Sequence, residues 1–141
     1  MIRRSTLLLA ALVAVSALFT GCASTPDKER VVIQVSDNDP GKWNLALNNA
    51  KNVQNVSGGP DKVDVEIVVY GPGIDMLKAD STTANRVNAA IKDGVQVVAC
   101  ENTMRKMKLT KADMNPSISY VPGGVIEIMQ RQKQGWAYIR P

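Results

Sequence analysis

The chain has 141 residues, 45% hydrophobic and 21% charged, which suits a single globular domain. Its formal charge is +4, and setting Arg3 and Arg4 aside from the 17 basic residues leaves +2 against 13 acidic ones. That charge is too weak and dispersed for nucleic acid, and 4% aromatics give no base-stacking platform. There is no histidine, which excludes Ser-His-Asp triads, Cys-His dyads, His-ligated zinc and imidazole acid–base catalysis.

The two cysteines, Cys22 and Cys100, cannot build a zinc ribbon or a four-cysteine iron–sulfur site within one chain. No G-x-G-x-x-G fingerprint follows a strand, so neither a nucleotide nor a flavin is expected, and no metal.

Met1-Ile2-Arg3-Arg4 is a basic start, and Leu7 to Phe19 is an apolar core too short for a comfortable membrane span. Small residues close it, so residues 1–21 read as a bacterial export signal. Leu18-Phe19-Thr20-Gly21-Cys22 resembles a lipobox, which makes Cys22 the expected lipid-attachment site. Ala23 after the cysteine resembles outer-membrane sorting. The expected location is therefore the outer membrane, facing the periplasm; cleavage after Ala23 instead gives a soluble periplasmic protein. Residues 22–30 form a polar, proline-containing tether, and residues 31–141 the folded domain.

Val31 to Ser36 is the first strand. Asp39 followed by Pro40 is a cap with proline at the first helical position, and Trp43, Leu47, Ala50 and Val53 recur at helical spacing until Ser57-Gly58-Gly59-Pro60. Val63 to Tyr70 is the second strand, apolar enough to be covered on both faces, and Gly71-Pro72-Gly73 stops it. A short helical turn over Ile74 to Lys78 precedes a helix marked by Ala84, Val87 and Ile91, with Gly94 as its carboxyl cap. Val95 to Ala99 is the third strand, ending at Cys100. Ile118 to Val121 is the fourth, Val125, Ile128 and Met129 stripe another helix, and Trp136 to Arg140 is the last strand.

Five strands alternating with helices predict a parallel sheet covered on both faces, an α/β fold. The loops starting at Ser36, Gly71, Cys100 and Pro122 then share one edge, where open α/β sheets bind ligands. Cys100 falls at that edge, with Asn102 or Thr103 able to cap a following helix. The backbone amides of Asn102 and Thr103, and Arg105 among the following basic residues, are candidates to stabilise a thiolate or bound anion. Glu101 opposes this if its carboxylate points inward, and it is expected to point away. Each has a plainer alternative: a cysteine ending an apolar strand is often core, Asn102 and Thr103 serve as ordinary caps, and the basic residues form a solvated face. Met104 and Met107 are expected to pack inward, and Trp136 and Tyr138 to be strand or interface residues.

The segment Gly94-Val95 through Ala99-Cys100-Glu101-Asn102-Thr103-Met104 resembles the cysteine motif of the DsrE/DsrF-like sulfur-relay family. Val121-Pro122-Gly123-Gly124-Val125 and Gln134-Gly135-Trp136-Ala137-Tyr138-Ile139-Arg140-Pro141 are similar to closing segments of its single-domain members. The resemblance covers about residues 30 to 141. It implies a flavodoxin-like three-layer α/β/α fold with a five-stranded parallel sheet, assembled as homo-trimers or hexamers. It also implies a persulfide carried on Cys100, exchanged with sulfur donor and acceptor proteins. Two other functions remain open: a non-catalytic envelope binding or assembly module with Cys100 buried, and a single-cysteine thiol redox protein working through mixed disulfides.

Overall fold

The computed structural model describes residues 28–141. Residues 1–21, Cys22 and most of the proposed tether lie outside the described residues. Five strands, β1 (Glu29–Val35), β2 (Val63–Val69), β3 (Gln96–Cys100), β4 (Ser119–Val121) and β5 (Ala137–Ile139), alternate with four helices. These are α1 (Pro40–Val56), α2 (Ala84–Lys92), α3 (Glu101–Lys106) and α4 (Gly124–Lys133). Two 3-10 segments, Gly71–Leu77 and Lys111–Asp113, lie in the connections after β2 and α3. The sheet is entirely parallel in the order β4-β3-β2-β1-β5, which is the expected α/β architecture of helices on both faces.

The strand order decides which helix covers which face. Steps from β1 to β2, β3 and β4 all move in one direction, so right-handed crossovers put α1, α2 and α3 on the same side. The return from β4 to β5 crosses the whole sheet in the opposite direction and puts α4 on the other side. The two cores reflect this. Val31, Ile33, Val35, Val65, Ile67 and Val69 pack beneath Trp43, Leu47, Val87 and Met104. The alternate residues Val32, Val68 and Val98 pack with Ile128 of α4 and Trp136.

Local chemistry accounts for the helix starts. Asp39 Oδ1 accepts from the Gly41 amide at 2.8 Å, with Pro40 at the first position of α1. The C-terminal part departs from the expected pattern. Of the α4 stripe only Ile128 is buried; Val125 is 53% exposed and Met129 also faces out. The inward face is instead Gly124, Ile128 and Arg131. Trp136 precedes β5 rather than starting it, and is buried under α4 with the Arg131 guanidinium 4.6 Å from its ring centre.

One charged group sits in the sheet itself. Glu66, on β2 facing α4, is 1% exposed and takes a two-pronged contact from Arg131: Nε at 2.6 Å and Nη2 at 3.2 Å. Arg131 Nε also meets Glu127 at 2.9 Å. Burial pushes the Glu66 carboxyl up, opposed by the guanidinium, and the two carboxylates hold Arg131 charged.

Candidate functional site

Adjacent strands whose connections leave to opposite faces open a crevice at their carboxyl ends. Here those strands are β3, which continues into α3, and β4, which continues into α4 on the other face. Cys100 is the last residue of β3, paired with Val121 at the end of β4. The alternation that turns Val98 toward α4 turns Cys100 the same way. Its thiol therefore lies beneath the start of α4, while its backbone opens α3. Cys100 is 4% exposed.

The sulfur is surrounded by donors. It caps α3 by accepting from the Thr103 amide at 3.4 Å. The Thr103 hydroxyl accepts from the Gly71 amide at 3.0 Å, which leaves its own proton free for the sulfur. Gly71 holds that amide in place with φ +55°, a conformation that suits glycine. Burial pushes the thiol's pKa up. The Thr103 side chain and the nearby backbone amides of Gly124, Thr103 and Asn102 favour the thiolate, outweigh burial, and leave the pKa below its ordinary value. The Asn102 amide acts least of these; its nearest well-aligned acceptor is the Pro122 carbonyl at 3.2 Å.

Among the sequence candidates, Cys100 and Thr103 are thus brought together, whereas the Asn102 amide donates to the Pro122 carbonyl. The Asn102 side chain accepts from Arg105 Nη2 at 3.3 Å on the exposed surface. No side-chain cation, Arg105 included, is among the leading influences on the thiol. Glu101 turns toward Lys111, 3.8 Å away. Met104 is buried as expected, but Met107 is 41% exposed. The α3 helix ends at Lys106, so Met107, its C-cap, falls on its outer rim.

Sequence reasoning missed Gly124 and Tyr70. Both follow from register. Val69 pairs with Ala99, so Tyr70 is the next residue along and stands beside Cys100 on the same face. A β-carbon on Gly124 would come within 2.9 Å of Tyr70 Cβ and 3.0 Å of its Cδ1, so only glycine lets the start of α4 lie this close to the ring. The Pro122-Gly123-Gly124 run is the available signal: the sequence places it at the ligand-binding edge, without singling out Gly124.

The Tyr70 phenol end sits among Gln34, Ser36 and Tyr138; Tyr138 donates to Gln34 Oε1 at 2.6 Å, and Gln34 donates to Ser36 at 3.0 Å. Burial and the neighbouring Tyr138 raise the Tyr70 pKa against the pull of Arg140, Gln34 and Ser36, so the phenol stays protonated. On its outer side Tyr70 lines a groove of about 530 Å³ with Gly71, Pro72, Asn102, Thr103 and Met107. Among the described residues no group of three acidic, histidine or cysteine side chains converges to hold a metal.

Two solved structures share this architecture. A protein of unknown function from Methanobacterium thermoautotrophicum superposes with TM-score 0.76 at 33% identity, covering 80% of this chain and 99% of its own. A conserved protein of unknown function from Bacteroides thetaiotaomicron superposes with TM-score 0.66 at 14% identity, covering 80% and 95%, and speaks for the fold alone. No curated protein matches the sequence. The DsrE/DsrF-like family matches residues 29–141, the whole of the folded domain from the first residue of β1. On that match, and on the parallel sheet with its cysteine at the β3–β4 crevice, the chain belongs to the DsrE/DsrF-like family.

Proposed function

We propose that this protein is a sulfur carrier whose Cys100 accepts sulfane sulfur as a persulfide. The observation that carries the reading is the Thr103 amide donating to Cys100 Sγ at 3.4 Å at the start of α3, in a setting that lowers the thiol's pKa. In the transfer, the Cys100 thiolate attacks the outer sulfur of a donor R–S–SH. The Sγ–S bond forms, the donor's S–S bond breaks, and R–S⁻ leaves with the electron pair. The product is Cys100–S–SH, and no external oxidant is consumed. Handing sulfur to an acceptor thiolate is the same exchange in reverse.

The test is intact mass after incubation with inorganic polysulfide. The carrier gains one sulfur atom, loses it on reduction, and gains none as Cys100→Ser. Native protein that gains nothing, with Cys100 inert to small alkylating agents, overturns the reading. The burial of Cys100 favours a second reading in that event: an envelope binding or assembly module that retains the fold without the chemistry. A single-cysteine redox protein would instead give mixed disulfides or disulfide-linked dimers.

The proposal includes export by residues 1–21, lipid attachment at Cys22, and a periplasm-facing outer-membrane location; palmitate labelling that Cys22→Ser abolishes tests it. It also includes homo-oligomers, trimers or hexamers. The exposed Val125, Ile126 and Met129 on the outer side of α4 support this. Sedimentation of Ile126→Glu should show smaller species than the native domain.

A further inference from the structure

We propose that Tyr70 is the specificity-determining residue of the Cys100 site, its ring being the wall that admits an unbranched sulfane chain and turns away bulkier donors. The inference deepens the carrier reading and rests on it. Four observations converge on this ring. The thiol is almost sealed, and Cys100 does not itself line the groove at the carboxyl edge. Tyr70, Asn102 and Thr103 do line it, and each flanks Cys100 in register or sequence. One side of the Tyr70 ring faces that groove, and the other packs against Gly124, whose amide is among the groups that favour the Cys100 thiolate. Its hydroxyl end lies beside Gln34, Ser36 and Tyr138, which are bonded to one another.

Of the three groove residues nearest the sulfur, Asn102 and Thr103 are fixed through their backbone as the first turn of α3. Thr103 is also tied to Gly71. Tyr70 is the one whose side chain can rotate without breaking the sheet or a helix, because it follows the last residue of β2 and its ring is only half-buried. A hydropolysulfide or small hydropersulfide needs only a narrow gap between the ring and the start of α3 to place its terminal sulfur in line with Sγ. A donor with a branched body next to its sulfur needs the ring displaced.

The test compares alkylation of Cys100 by iodoacetamide and by a bulky maleimide, read at the high-pH plateau where the thiolate fraction no longer matters. Sulfur uptake from inorganic polysulfide and from glutathione persulfide is measured beside it. Tyr70→Ala should raise the plateau rate for the bulky reagent roughly tenfold, since a half-buried ring no longer has to leave its contacts before each reaction. The preference for the smaller reagent and donor should shrink accordingly. Tyr70→Phe keeps the wall and should stay close to native.

Gly124→Ala perturbs the same contact from the other side: its new methyl meets the ring and pushes it toward the groove, so it should sharpen the preference for the smaller reagent, opposite to Tyr70→Ala. The proposal is overturned if both alanine variants keep native selectivity, or if both reagents speed up equally and in step with a lowered melting temperature. If reagent selectivity shifts as expected but no form takes up sulfur, the wall stands and the carrier reading fails.

Discussion

Replacing Arg131 with methionine tests how α4 is held on its face of the sheet. The change keeps most of the side chain's length and apolar contact with Trp136, but strips the guanidinium from Glu66, which is 1% exposed. Breaking a buried pair from one side costs about 3–5 kcal/mol. Arg131 is itself 24% exposed on its side chain, which places the expected loss near the lower end, about 3 kcal/mol. For a domain of roughly this size that is about 12 °C in melting temperature.

The loss depends on pH in a direction fixed by Glu66. Its folded pKa is raised by burial, so the stability tied to its protonation is complete below the unfolded value and is lost as pH rises through the folded midpoint. Without Arg131, and with Glu127 as the remaining charged neighbour, that midpoint moves further up. Urea unfolding should therefore show a small deficit near about pH 5 and the full deficit near about pH 8. Glu66→Gln in the same background should recover part of it at the higher pH. A deficit below about 1 kcal/mol, or one equal at both pH values, refutes the account of a buried charge needing its partner.

The Cys100 thiol should titrate below its ordinary value of about 8.5 in an alkylation-rate profile, and a midpoint at or above that value contradicts the donor arrangement. Because the fold lowers this pKa, the thiolate's contribution to stability is complete above the unfolded value and lost as pH falls through the folded one. Thr103→Val removes the hydroxyl that joins Gly71 to the sulfur and should raise the midpoint, with Thr103→Ser returning it toward native. Asp39→Ala removes the cap of α1 and should cost about 1 kcal/mol in urea unfolding without moving the Cys100 profile.

Much of the fold was legible because each buried strand announces itself by a run of β-branched residues. Val31 to Val35, Val63 to Val69 and Val97 to Ala99 fall inside observed strands, and Gly94 and Gly135 take positive φ where the helices before them end. Strand order was not legible. Parallel pairing leaves the same alternation on a strand whichever neighbours it has, and only the long return from β4 to β5 separates α4 from the other helices. The outer half of the sheet was misjudged for a related reason. Val125 and Met129 are apolar at helical spacing, yet α4 is the sole helix on its face among the described residues, so its inward side is set by Gly124 meeting Tyr70 and Arg131 meeting Glu66. At the site, Cys100 and Thr103 lie within one local motif and could be read together. Tyr70 and Gly124 are brought to them only by tertiary pairing, which no spacing in the chain displays.

A parallel sheet has a direction, and this one has its reactive atom at one pole. Every strand starts at the pole opposite Cys100, so Lys28, the first described residue, lies at the far end, about 20 Å away along a seven-residue strand. A domain moored by its leading segment would stand with Cys100 at its distal tip, turned away from the mooring surface and toward whatever diffuses past.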